Sequence, residues 1–102
     1  MESGEMVRLI REKIPMTELM AGLAEEASEL AQAALKLRRV WTQTNPTPKR
    51  EDEAQDDLFE EIADVFLYLD VIGIGQANPG ELITGIKNRK MERWANRMEA
   101  RT

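Results

Sequence analysis

Two pairs of acidic residues stand at helical spacing in this chain, Glu26 with Glu29 and Glu61 with Asp64, and both fall on largely apolar faces. Along a helix, Glu26 stacks with Leu19, Gly22, Leu23, Leu30, Ala33 and Leu37, while Glu61 and Asp64 share a face with Asp57, Tyr68 and Val71. Glu25 and Glu18 turn toward the polar flank. Burying an ionised carboxylate is costly, and four that converge also repel one another, so the group needs a neutralising partner. Too few bases share these faces to supply it. A divalent cation is the better account, and an all-oxygen donor set suits Mg²⁺, with Mn²⁺ as a substitute, over zinc or iron. The bland alternative is that the acids line solvated helix faces.

The composition narrows the chemistry further. The 102 residues include no histidine and no cysteine. Disulfides, imidazole or thiolate metal ligands, Glu-x-x-His di-iron pairs and Ser-His or Cys-His nucleophiles are therefore excluded. No EF-hand loop is present. The net charge of −5 argues against a general binder of nucleic acid polymers or anionic membranes. It is also an average of opposites. Residues 51–64 carry eight acids and no base, whereas residues 85–102 carry six bases against two acids. The longest uncharged run, Val71 to Gly80, is ten residues, well below the roughly 20 of a spanning helix. The first residues lack the basic and apolar segments of a secretory signal, and the expectation is a cytoplasmic protein.

The elements that must position the acids are helices. Breakers cluster only in the segments 42–49 and 73–80, and no alternating β-branched run competes. The expected elements are a short helix over about 5–13, a long one from Pro15 to about Val40, a third over about 51–74 and a fourth over about 79–100. This is an all-α, four-helix-bundle-like chain forming a single domain over residues 1–102. The third helix is apolar almost all round, with Leu58, Phe59, Ile62, Val65, Phe66, Leu67, Leu69 and Ile72, which predicts completion of the fold by self-association. Asp70, in line with Phe59, Ala63 and Phe66, reads as an acid of a helix-pairing surface.

The run Glu25-Glu26-Ala27-Ser28-Glu29, followed by Glu61-Ile62-Ala63-Asp64, resembles the E-E-x-x-E … E-x-x-D signature of the MazG-like, all-α nucleoside triphosphate pyrophosphohydrolases. The resemblance spans residues 16 to 98. It implies a MazG fold in dimers or dimers of dimers. The implied activity is Mg²⁺-dependent cleavage of a nucleoside triphosphate between the α and β phosphates. Carried over by position, Glu26, Glu29, Glu61 and Asp64 are the metal ligands and Glu25 orients or activates the attacking water. Lys87, Lys90 and Arg97 on the basic fourth helix are the implied substrate-binding residues. Here the chain departs from the family's pattern, with Trp94 where an Asn is common, and either Asn88 or Asn96 substitutes or the role is absent. Without that role, the same bases form a solvated flank beside a core stripe of Met91, Trp94 and Met98.

The resemblance also marks the connection between Glu29 and Glu61 as long, with 31 intervening residues. Trp41 or Asn45 in it would contact ribose or base, or the segment is a plain surface linker. Arg38 and Arg39 read as cations complementing a helix C-terminus, and Lys36 has no assigned role. The competing functional class is a non-catalytic helical oligomer that binds metal or nucleotide as a regulatory or interaction module.

Overall fold

The computed structural model describes residues 1–74 and 77–101, so the two residues at the centre of the 73–80 breaker segment lie outside the description. Four helices are described: α1 (Ser3–Lys13), α2 (Met16–Thr42), α3 (Glu51–Ile72) and α4 (Ala77–Ala100). The all-α expectation holds. None of these helices is long and apolar enough to cross a membrane. The chain divides into two compact units, Met1–Ile72 and Gly73–Thr102.

The first unit is built on the pairing of α2 with α3, and α1 packs on α3 as well. Pro15 serves as the N-cap of α2, one position before the helix, and its carbonyl accepts from the Glu18 and Leu19 amides. At the other end α2 runs two residues beyond Val40. Gln43 then adopts the left-handed region (φ 55°), its amide N–H bonds the Arg39 carbonyl, and its side-chain nitrogen bonds the Val40 carbonyl at 2.7 Å. Two carbonyls left over by the helix end are satisfied in this way.

The 43–50 connection feeds α3 through charge. Trp41 donates its indole N–H to Glu51 at 3.0 Å, Lys49 pairs with Asp57 at 2.5 Å, and Arg50 pairs with Asp52 and Glu53. The acids Glu51, Asp52 and Glu53 occupy the first turn of α3, where the helix dipole favours negative charge. The bases of the loop are thus held by acids of the next helix. These exposed pairs contribute little stability individually, but they fix where α3 starts.

α3 stops at Ile72, two residues before the expected end, because Gly73 turns to φ 96°, a conformation that suits glycine. No basic residue lies in the last turn of α3. α1 supplies one instead: Arg11 Nε donates to the Val71 carbonyl at 2.6 Å. Hydrogen bonds to charged groups contribute about 1.5–3 kcal/mol, so Arg11→Ala should destabilise the first unit by roughly that amount in urea unfolding, and Arg11→Lys by less.

The buried residues of these two helices are Leu19, Gly22, Leu37 and Val40 of α2 with Ala54 and Val71 of α3, and Leu58 packs on the Leu37, Val40 and Ala54 group. The apolar stripe read around Glu26 is therefore the packing face. Phe59, Ala63, Phe66, Leu67 and Asp70 lie on an exposed side of α3.

The second unit is α4, which starts two residues earlier than expected and takes Pro79 into its first turn, where no amide N–H is needed. Its residues Met91, Trp94 and Met98 are exposed, at 58%, 62% and 51%. They are not the core stripe that their spacing suggested.

Candidate metal centre

The acid pairs meet across the α2–α3 interface. Gly22 abuts Tyr68, Glu26 feels the charge of Asp64, and Glu61 that of Glu29; the residue numbers of each of these pairs sum to 90, as in an antiparallel pair held in one register. Gly22 is central to this arrangement. A Cβ there would collide with Cε1, Cζ and Oη of Tyr68, so glycine lets the tip of the ring approach α2 this closely, one turn before Glu26.

Carboxylate oxygens of Glu26, Glu29 and Glu61 lie within 4.8 Å of one another. Glu26 and Glu61 are half-buried, and the Oε2 atom of each is buried without a hydrogen-bond partner. Glu29 is more exposed. Asp64 falls outside this trio, but it is half-buried and its charge acts on both Glu26 and Glu61. Glu25 is exposed on α2 and is not part of the cluster.

Protonation responds to this crowding. Burial, followed by the charges of Glu29, Asp64 and Glu61, pushes Glu26 up to about 7. Glu61 is raised by the same causes, burial first and then Glu29 and Asp64. Glu61 accepts a hydrogen bond from the protonated Glu26, which opposes its own rise. Without a cation, then, the site accommodates its charge by sharing protons. The all-oxygen donor set and the two unpartnered buried oxygens fit a hard divalent cation such as Mg²⁺ or Mn²⁺. Glu26, Glu29 and Glu61 would hold it, with Asp64 beside them.

A cleft of about 550 Å³ opens next to the carboxylates, between α2 and α3, and Glu29 and Glu61 form part of its wall. Lys36 and Arg39 of α2 also line it, the residues that sequence reasoning left unassigned or credited to the helix terminus. Their positions relative to Glu29 were legible from helical spacing. The facing wall, with Ala54, Asp57 and Glu60, was not, because it depends on how the two helices register.

The remaining predicted residues lie elsewhere. Lys87, Lys90 and Arg97 are exposed on α4 in the second unit, where Lys87 and Lys90 flank a groove formed by Ile83, Ile86, Met91 and Trp94. Trp41 is 60% exposed, with its indole N–H committed to Glu51. Compared with family models, curated proteins and solved structures, the chain matches none.

Proposed function

We propose that this chain is a Mg²⁺-dependent nucleoside triphosphate pyrophosphohydrolase of the MazG-like type, converting a (d)NTP to (d)NMP and pyrophosphate. The observation that carries the reading is the convergence of Glu26, Glu29 and Glu61 from two helices, with two buried carboxylate oxygens lacking any partner. A bound Mg²⁺ would polarise phosphoryl oxygens and acidify a bound water. Glu26, Glu29, Glu61 and Asp64 hold the cation, and their helix mounting keeps the donors in a fixed arrangement. Glu25, exposed one residue before the first ligand, is the group assigned to orient or deprotonate the attacking water. Lys87, Lys90 and Arg97 are the substrate-binding cations of this reading. No covalent nucleophile is required, which accords with a chain that has neither cysteine nor histidine.

The exposed Phe59, Phe66 and Leu67 on α3 support self-association of the chain. The same surface favours a second reading, a non-catalytic oligomer that binds metal or nucleotide. Turnover separates the two. Purified protein is incubated with each of a panel of (d)NTPs and Mg²⁺ while pyrophosphate is followed. Release should occur with wild type and fall to the metal-free rate in Glu61→Gln. A wild type that binds nucleotide without releasing pyrophosphate leaves the second reading standing, and undiminished release by Glu61→Gln removes the assigned site.

A further inference from the structure

The cleft beside the carboxylates contains two cations that the packing of the chain does not use. Lys36 and Arg39 are both half-buried on its wall, and among the described residues neither has an acid within ion-pair distance. The contrast with the nearby bases is informative. Lys49 and Arg50 are each paired with acids of α3, and Asp57, on the opposite wall of the cleft, is taken by Lys49 at 2.5 Å. The cleft therefore changes character along its length, from the oxygen cluster of Glu29 and Glu61 to unpaired positive charge. Lys36 lies seven residues beyond Glu29, on the same face and about 10 Å farther along the axis, and Arg39 is close to one turn beyond that.

We infer that Lys36 and Arg39 bind the β- and γ-phosphates of the nucleotide, on the side of the cleft away from the carboxylates. The inference rests on the reading of the carboxylates as a metal centre for a nucleoside triphosphate, and it adds a recognition element within the same compact unit. The chemistry is complementary. Arg39 offers a planar fork of donors suited to phosphate oxygens, and Lys36 a compact charge. Their half-burial strengthens each contact relative to one in open water. Both would neutralise the pyrophosphate group as it leaves, whereas the α-phosphate would sit nearer the carboxylates.

The experiment is calorimetric titration of the full chain with inorganic tripolyphosphate in Mg²⁺, alongside a separate titration with Mn²⁺ alone. Wild type should bind tripolyphosphate. Lys36→Gln and Arg39→Gln should each weaken it by roughly tenfold, the scale of a lost charge-assisted hydrogen bond, with Arg39→Lys intermediate. The melting temperature and Mn²⁺ affinity of these variants should stay at wild-type values. The α,β-methylene analogues of the four dNTPs should displace tripolyphosphate from wild type. If they fail to displace it, the cleft takes inorganic polyphosphate and the nucleotide assignment is overturned. Absence of tripolyphosphate binding by wild type, or equal binding by the Lys36→Gln/Arg39→Gln double variant, also overturns the proposal. The Mn²⁺ titration reports independently on the carboxylates. Mn²⁺ binding with charge-independent tripolyphosphate binding refutes the cleft cations and leaves the metal centre intact. Tripolyphosphate binding that needs both cations, in a protein that takes up no Mn²⁺, supports the anion site and refutes the metal centre.

Discussion

Replacing Glu26 with Gln is expected to raise the metal-free melting temperature at pH 8 and to abolish the further rise that Mg²⁺ produces in wild type. Both effects come from one carboxyl group. In the folded protein Glu26 holds its proton up to about pH 7, against an ordinary value of 4.5. Below pH 4.5 the folded and unfolded chains are both protonated there. Between 4.5 and 7 only the folded chain retains the proton, so its advantage shrinks as pH rises and is lost above 7. Glu61 is shifted in the same direction and acts with the same sign. Asp52, held low chiefly by its hydrogen bond to Arg50, acts oppositely and only at the acid end, below its ordinary 3.8. Metal-free wild type should therefore lose melting temperature from pH 4.5 to 7 and then level off.

A cation competes with those protons, so its affinity should climb through the same interval. At a free Mg²⁺ concentration a hundred times its dissociation constant, linkage stabilises the folded state by about 2.7 kcal/mol. For a domain of this size that is a rise on the order of 10–20 °C. Glu26→Gln removes one donor and one source of repulsion together, so its melting temperature should fall less with pH than that of wild type, keeping only the Glu61 part, and should not respond to Mg²⁺. Differential scanning fluorimetry over pH 4–9, with chelator or with Mg²⁺, reads all four conditions. A wild type whose melting temperature rises with pH in chelator, or a Gln variant still stabilised by Mg²⁺, would sink the account.

Gly22→Ala is expected to destabilise the fold even though it replaces glycine with a better helix former. In an exposed helix the change stabilises by up to about 1 kcal/mol, since glycine is the poorer helix former. At position 22 the new methyl group meets the Tyr68 ring at Cε1, Cζ and Oη, and a ring with two torsions cannot yield at its tip without leaving the α2 surface. Overpacking of this kind costs about 1–3 kcal/mol and more when helices must separate. The net result is a loss, with a melting temperature lower by at least several degrees. Gly4→Ala is the internal control, because nothing stands within 4 Å of a Cβ there, and it should be neutral or stabilising. In a Tyr68→Ala background the cost of Gly22→Ala should vanish, a coupling that a double-mutant cycle measures directly. Since Gly22 lies one turn before Glu26, the single variant should also weaken Mn²⁺ binding.

These contrasts mark what the sequence could disclose. Leu19, Gly22, Leu37 and the two acid pairs were readable on their faces because a 3.6-residue period determines which side chains share a side of one helix. The left-handed turn at Gly73 follows a recognisable rule, yet the apolar residues beyond it kept the helical pattern going on paper to residue 74. Partnerships across the interface were hidden. That Arg11 closes α3 at Val71, that Tyr68 needs Gly22 bare, and that Lys36 and Arg39 share a cleft with Glu61 all depend on the relative placement of helices, which no single-helix period encodes. The Met91, Trp94 and Met98 spacing was equally regular, yet these side chains are exposed, because periodicity shows that a stripe exists and not what covers it.

The constant register of α2 against α3 also bears on how such a chain can change length over generations. Inserting one residue between Glu29 and Leu37 would rotate one end of α2 by about 100° relative to the other, so that either the carboxylates or the Leu37 and Val40 packing would lose its partners. The same insertion at 44–47, after Gln43 has ended α2 and before Lys49 and Arg50 fasten the start of α3, shifts no phase on either side. Insertions and deletions should therefore accumulate in that short window and be purged from the helices around it, leaving the spacing within each acid pair fixed while the distance between the pairs drifts.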